Sequence, residues 1–257
     1  MTDPDAEFWA AYDAKQALRR RDPLLTLEDG EDAIRSALKR TARPLEVGGF
    51  RPSGALEATC FGEVRLSLPG EAWPTHNGTP MFPLVQLNIT QAGIQGGPLA
   101  DCALITIYMS HEFQSSDHTL SRPYGEAGFA VRSYPSVDGL VPVDAPNYES
   151  PLKPFECQWL DPVDDYANND LAGDMVDTSE ISVYDFDWHQ TSALTKVGGW
   201  PATIQSEPWW MYQPDAPEVD FALQIMREDK AGWYCDSLFL ARGRDDPDLW
   251  AADVQMY

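Results

Sequence analysis

Leu84-Val85-Gln86-Leu87-Asn88-Ile89 and, 138 positions further on, Ala222-Leu223-Gln224-Ile225 decide how this chain folds. Both stretches read as β-strands, being apolar runs with a glutamine set among aliphatic neighbours. Upstream of the first stand Phe61-Gly62-Glu63-Val64 and Glu71-Ala72-Trp73; upstream of the second stand Val197-Gly198-Gly199-Trp200 and Glu207-Pro208-Trp209. The offsets agree: 198 − 62, 207 − 71 and 209 − 73 all give 136, and 224 − 86 gives 138. Near-constant spacing over separate blocks predicts two similar β-units in a pseudo-two-fold arrangement. Each block has a structural use. The glycine admits positive φ or a close approach, the tryptophan fills a core or groove, and the glutamine amide satisfies backbone groups at a strand edge.

Outward from these blocks, Ala103-Leu104-Ile105-Thr106-Ile107-Tyr108 and Leu238-Phe239-Leu240 read as further strands, separated by Gly, Pro and Asn clusters. Most of the 21 prolines and 18 glycines follow residue 42, which disfavours long helices there. The N-terminal part differs. Phe8, Ala11, Tyr12 and Leu18 predict a helix over residues 4 to 21, ending in three arginines. A second helix is predicted from about residue 26 to 40, with Thr26 or Asp29 as cap and Ile34 and Leu38 one turn apart. The expected fold class is therefore α+β, mainly antiparallel β, with two pseudo-repeated β-units and short N-terminal helices. Its expected parts are a helical segment over 1–42 and a β-rich domain over 43–257. That domain is duplicated at about 43–132 and 191–257 around an acidic insert, 133–190.

Forty-one acidic against 18 basic residues give a net charge of −23. Such a surface repels phosphate backbones and anionic membranes, so neither nucleic acid nor a membrane is an expected partner. The excess concentrates between Ser133 and Gln190, where 13 carboxylates face the single Lys153. Aromatic residues interleave with them, and that composition suits recognition of a basic protein. The candidate partner-binding residues are Trp159, Asp161, Asp164, Asp165, Tyr166, Asp170, Asp174, Asp177 and Trp188. The plainer alternative is a solvated loop whose aromatics pin it to the core. The start, Met1-Thr2-Asp3-Pro4-Asp5, lacks the basic-then-apolar pattern of a signal peptide, and a cytoplasmic location is expected. Cys60, Cys102, Cys157 and Cys235 form no Cys-x-x-Cys pair and read as reduced core thiols.

No nucleophile elbow, phosphate-binding Gly-Lys-Ser/Thr loop or His-Glu-x-x-His occurs in the sequence. Neither catalytic residues, cofactor nor metal is expected. The four histidines are scattered, and the oxygen-rich run from Asp161 to Asp170 lacks the alternating ligands and central glycine of a calcium loop. Glu207 beside Trp209, Trp210 and Tyr212 invites comparison with a glycosidase carboxylate. Its place on the repeated Glu-x-Trp block favours scaffold instead.

Phe61-Gly62, Leu68-Pro69-Gly70-Glu71-Ala72-Trp73-Pro74 and the run from Gly78 to Asn88 together resemble the first hallmark of the YwqG-like family of bacterial proteins, a domain of unknown function. The run from Lys196 to Gln205, followed by Ala222-Leu223-Gln224-Ile225, resembles its second. The resemblance extends over about residues 45 to 257. Where the family's first motif usually has a glycine pair, this chain has Gly62-Glu63. The resemblance implies a mostly antiparallel β-fold with an internal duplication, and no particular activity.

These readings converge on a non-enzymatic acidic binding protein. The expectation is an immunity-type protein that neutralises a basic toxin or effector by binding it. The alternative is an enzyme or small-ligand binder with a site between the two β-units, lined by Trp73, Glu207, Trp209, Trp210 and Gln224. A purely structural interaction module is the third possibility.

Overall fold

A computed structural model of the chain describes residues 4–20, 22–94, 96–113, 119–121, 127–179, 194–203 and 206–256. The chain begins with helix α1 (Pro4–Arg19), helix α2 (Glu31–Leu38) and strand β1 (Lys39–Val47). Next come β2 (Cys60–Phe61), β3 (Leu66–Ser67), β4 (Thr75–His76), β5 (Thr79–Pro80), β6 (Phe82–Asn88) and the one-turn helix α3 (Ile89–Ala92). β7 (Leu104–Met109), β8 (Thr119–Ser121), β9 (Phe129–Tyr134), β10 (Val141–Pro142), β11 (Phe155–Trp159), β12 (Val163–Tyr166) and α4 (Asn169–Ala172) continue the chain. It closes with β13 (Lys196–Gly198), α5 (Trp209–Tyr212), β14 (Val219–Glu228), β15 (Trp233–Gly243) and β16 (Trp250–Gln255).

Twelve strands join into one sheet, in the order β8-β16-β15-β14-β13-β1-β11-β2-β6-β7-β9, with β12 also paired to β1. All its named pairings are antiparallel. Its far ends approach each other, since Ser121 Oγ on β8 donates to the Phe129 carbonyl on β9 at 2.5 Å. The sheet is thus nearly a closed barrel, which leaves few open strand edges.

Two runs of strands, β2-β6-β7-β9 as a first half of the sheet and β13-β14-β15-β16-β8 as a second, meet at β1 and β11, where Leu45, Glu46 and Val47 pair with Trp159, Gln158 and Cys157. Sequence order and spatial order cross here. β1 precedes the first half in the chain but pairs with β13 of the second, whereas β11 precedes the second but pairs with β2 of the first. The stretch 133–190, expected as an insert, instead supplies β11 and β12 to the sheet. Its apolar residues explain why: Cys157 joins the main core, with Phe155 and Trp159 packed against it.

That core fills the barrel. Leu45, Phe61, Val85, Leu87, Ile105 and Ile107 meet Val197, Leu223, Ile225, Leu238 and Leu240, all nearly inaccessible to water. Burial of this apolar surface is the main driving force for the fold. On β6, Gln86 points to the other face between Val85 and Leu87. It is fully buried there, its Oε1 accepting from the amides of Arg65 and Leu66 and its Nε2 donating to the carbonyls of Leu56 and Ala58. Gln224 on β14 is also fully buried, its Oε1 accepting from the Ala202 amide and its Nε2 donating to the Leu194 carbonyl.

Outside the barrel, α2 presents Ile34 and Leu38 to Tyr166, Leu171, Val176 and Trp200. Helix α1 docks by its last turns: Lys15 Nζ donates to the carbonyls of Gln213 and Ala216, and Arg19 to that of Met211. All four cysteines are free, and burial pushes each thiol up to about 12, so they are inert at neutral pH. No helix among the described residues is long and apolar enough to cross a membrane.

Candidate functional site

The acidic candidates divide into structural and exposed groups. Asp165 on β12 is buried: its Oδ2 accepts from Lys196 Nζ at 2.6 Å and from the Trp200 amide at 2.7 Å. Burial lowers the pKa of Lys196, and Asp165 opposes that shift. Gly199 makes this approach possible, because a Cβ there would collide with Asp165 Oδ2 and its φ is +70°. Tyr166 is buried beneath α2, and Trp159 Nε1 donates to the Asn88 carbonyl at 3.1 Å. Asp174 pairs with Arg19 at 2.5 Å; desolvation raises its pKa, with Arg19 opposing. Asp177 accepts from the Ser179 hydroxyl and amide, which lower its pKa.

The remaining candidates are more open. Asp161 and Asp164 are exposed, with Asp164 3.3 Å from Lys39 Nζ. Asp138, Asp144 and Glu149 of the same stretch are exposed as well. Asp170 falls in α4, but its side chain lies outside the described residues, as does the whole of Trp188.

The five residues of the alternative pocket are not brought together. Trp73 packs on the outer face of the first half, edge-on to Tyr108 and stacked on Tyr148 with ring centroids 5.1 Å apart. Trp209 and Trp210 lie on the outer face of the second half, among Phe221, Phe239 and Ala241. Gln224 is committed to backbone groups. Glu207 reaches Arg19 Nη1 at 3.4 Å, so one arginine of α1 joins Glu207 and Asp174. That arrangement fastens a helix and leaves neither carboxylate aimed into the barrel.

The space between the halves lies elsewhere, at one mouth of the barrel. A cavity of about 530 Å³ is bounded by Arg40 and Arg43 of β1, Gly198 and Gly199 at the end of β13, Asp220 and Phe221 of β14, and residues 92–94 and 96–99. Its position follows from strand periodicity: Arg43 shares the inward parity of Leu45 and Val47, and pairs with the core residue Val197. Arg40 places its guanidinium 3.4 Å over the Trp200 ring. Desolvation lowers the pKa of Arg40, with Asp220 and Asp165 opposing, yet the residue stays solvent-exposed. A second cavity, of about 600 Å³, shares Arg40, Asp220 and Phe221 and extends to Lys15 and Arg19. Sequence reading passed over these arginines; the signal was an arginine at an inward-facing strand position.

The family model described as "Domain of unknown function (DUF1963)" matches residues 62–238. The chain belongs to the DUF1963 family. The matched span runs from the turn after β2 into β15, and so takes in both glutamine strands and the junction strand β11. Of the cavity's lining it includes every residue except Arg40, Thr41 and Arg43 of β1. No curated protein gives a significant match.

Proposed function

We propose that this is a non-enzymatic, YwqG-like binding protein whose acidic exterior meets a basic protein partner. The role that best fits is that of a cytoplasmic immunity protein neutralising a bacterial toxin or effector. One observation carries the reading: Asp138, Asp144, Glu149 and Asp161 stand exposed without an ion pair among the described residues, on a chain of net charge −23. Uncompensated charge of one sign steers a partner of the other and speeds association. Inhibition by occlusion then needs no chemistry from the inhibitor.

The same reading takes the two halves as copies of one β-unit that have exchanged their junction strands, β1 and β11. The matched glutamine hydrogen bonds support it. The partner is to be sought in the product of the adjacent gene, co-expressed with this chain. Replacing Asp161 and Asp164 together with lysine is expected to slow association about tenfold at low salt and to flatten its salt dependence. Asp165 is left intact, because it is buried against Lys196 and the Trp200 amide and its loss would act on stability and not on the exposed surface. A complex indifferent to both charge reversal and salt, or no complex and no protection from toxicity, would overturn the proposal.

A further inference from the structure

We propose that the mouth of the barrel binds a small organic anion, with a carboxylate or phosphate head held by Arg43 and Arg40 and a compact apolar body against Ile94, Leu99 and Phe221. The site goes beyond the protein-docking role of the acidic exterior and is independent of it.

Arg43 is the central observation. Its side chain faces the interior, and its Nε is buried with no hydrogen-bond partner among the described residues. A buried donor left unpaired costs about 1–3 kcal/mol, so an inward arginine is a poor choice for packing alone. Shortage of carboxylates does not explain it, in a chain with 41 of them. Arg19, Arg65, Arg242 and Arg244 each hold a carboxylate, whereas Arg40 and Arg43 hold none among the described residues. Asp220, the carboxylate in the cavity wall, is already held by Arg244 at 2.8 Å.

Arg40 and Arg43 therefore both line this cavity, and neither is in an ion pair with a carboxylate among the described residues. The planar fork of arginine matches carboxylate and phosphate oxygens in bidentate geometry. Trp200 beneath Arg40 holds that second group in place by stacking. About 530 Å³ suits a small molecule, and the apolar part of the wall would accept a ring or short chain better than a bare inorganic ion. The cavity also draws on both halves of the barrel, so a bound anion would tie Ile94 and Leu99 to β1.

Calorimetric titration of the full chain at low ionic strength, with benzoate, phenyl phosphate and inorganic phosphate, tests the assignment. Saturable one-to-one binding is expected for benzoate or phenyl phosphate, and the tighter of the two identifies the head group. Inorganic phosphate should bind more weakly than phenyl phosphate. Arg43→Gln should weaken binding about tenfold or more, and Arg43→Lys by less. Ile94→Trp, which fills the cavity and leaves both arginines in place, should abolish it. If Arg43→Gln does not fold, Arg40→Gln and Ile94→Trp decide by the same criterion. No saturable binding by any of the three anions, or binding unchanged in the folded variants, would overturn the proposal. The lysine substitutions at Asp161 and Asp164 should preserve saturable anion binding, tightened if anything by the added positive charge beside Pro162, which separates failure here from failure of the partner-binding role.

Discussion

The glutamine strands of the two halves are alike in their bonds and unlike in what lies beside them. Gln86 and Gln224 each accept from an amide, that of Leu66 or Ala202, and each donate to a carbonyl, that of Ala58 or Leu194. Thr59 and Thr195 hydroxyls likewise accept from the amides of Asn88 and Met226. Beside Gln86 the paired residue is Cys60, whereas beside Gln224 it is Lys196. That one difference brings a carboxylate with it. Lys196 is buried and needs Asp165, Asp165 needs room, and the room is made by Gly199. In the first half the carboxylate across from Cys60 is Glu156, which accepts from the amides of Ser53 and Gly54, and Glu63 stands 136 positions before Gly199.

The sharpest way to break this comparison is to remove the carboxylate. Asp165→Ala takes from the buried Lys196 amine the carboxylate it donates to, and is expected to cost about 3–5 kcal/mol in urea unfolding. Pairing it with Lys196→Met should restore most of that loss, because two well-packed apolar groups carry no desolvation penalty. Full recovery would show that the ion pair sets geometry more than stability. A loss below about 1 kcal/mol for Asp165→Ala alone would mean that water or another carboxylate compensates Lys196.

A smaller effect should distinguish the glutamines themselves. Among the described residues Gln86 takes two amides, while Gln224 takes one, since Pro201 has no N–H to match that of Arg65. Truncation to alanine orphans those backbone groups and opens a cavity. The expected cost is about 3 kcal/mol or more for Gln86→Ala and about 2 kcal/mol for Gln224→Ala, read from thermal or urea unfolding. Equal losses would indicate that the additional bond to Arg65 contributes nothing net.

Much of this was legible in the sequence, for a physical reason. Strand alternation, the glycine and tryptophan blocks and the paired glutamines are local signals, and each specifies its own backbone environment. The antiparallel sheet follows from them. The crossing of β1 and β11 was not legible, because pairing partners across a junction are chosen by packing and leave no mark in either strand alone. The acidic run misled in the same way: net charge showed a surface, but Asp165 is buried by its tie to Lys196, 31 residues away. Arg43 could have been found by counting its parity from Leu45 and Val47. Trp73 and Trp209 were expected to share a pocket; they pack in separate clusters, Trp73 with Tyr108 and Trp209 with Phe239.

The smallest effect is the most specific to the contrast between Gly62-Glu63 and Gly198-Gly199. Gly199 has a φ of +70°, whereas Glu63 is not among the residues with positive φ. A second glycine is therefore a backbone requirement in one half and has no such role in the other. Glu63→Gly should cost about 0.5–1 kcal/mol, chiefly through added freedom of the unfolded chain, with a minor share from the partly exposed pair to Arg65 at 2.9 Å. Gly199→Ala should cost clearly more than this, through strained φ and collision with Asp165. Combining Gly199→Ala with Asp165→Ala then separates the causes in part: the collision with the carboxylate disappears, and the close contact with Ala42 Cβ and the strain at φ remain. If Glu63→Gly proved as costly as Gly199→Ala, the glycine pair would not be explained by the buried carboxylate, and the asymmetry of the halves would need another origin.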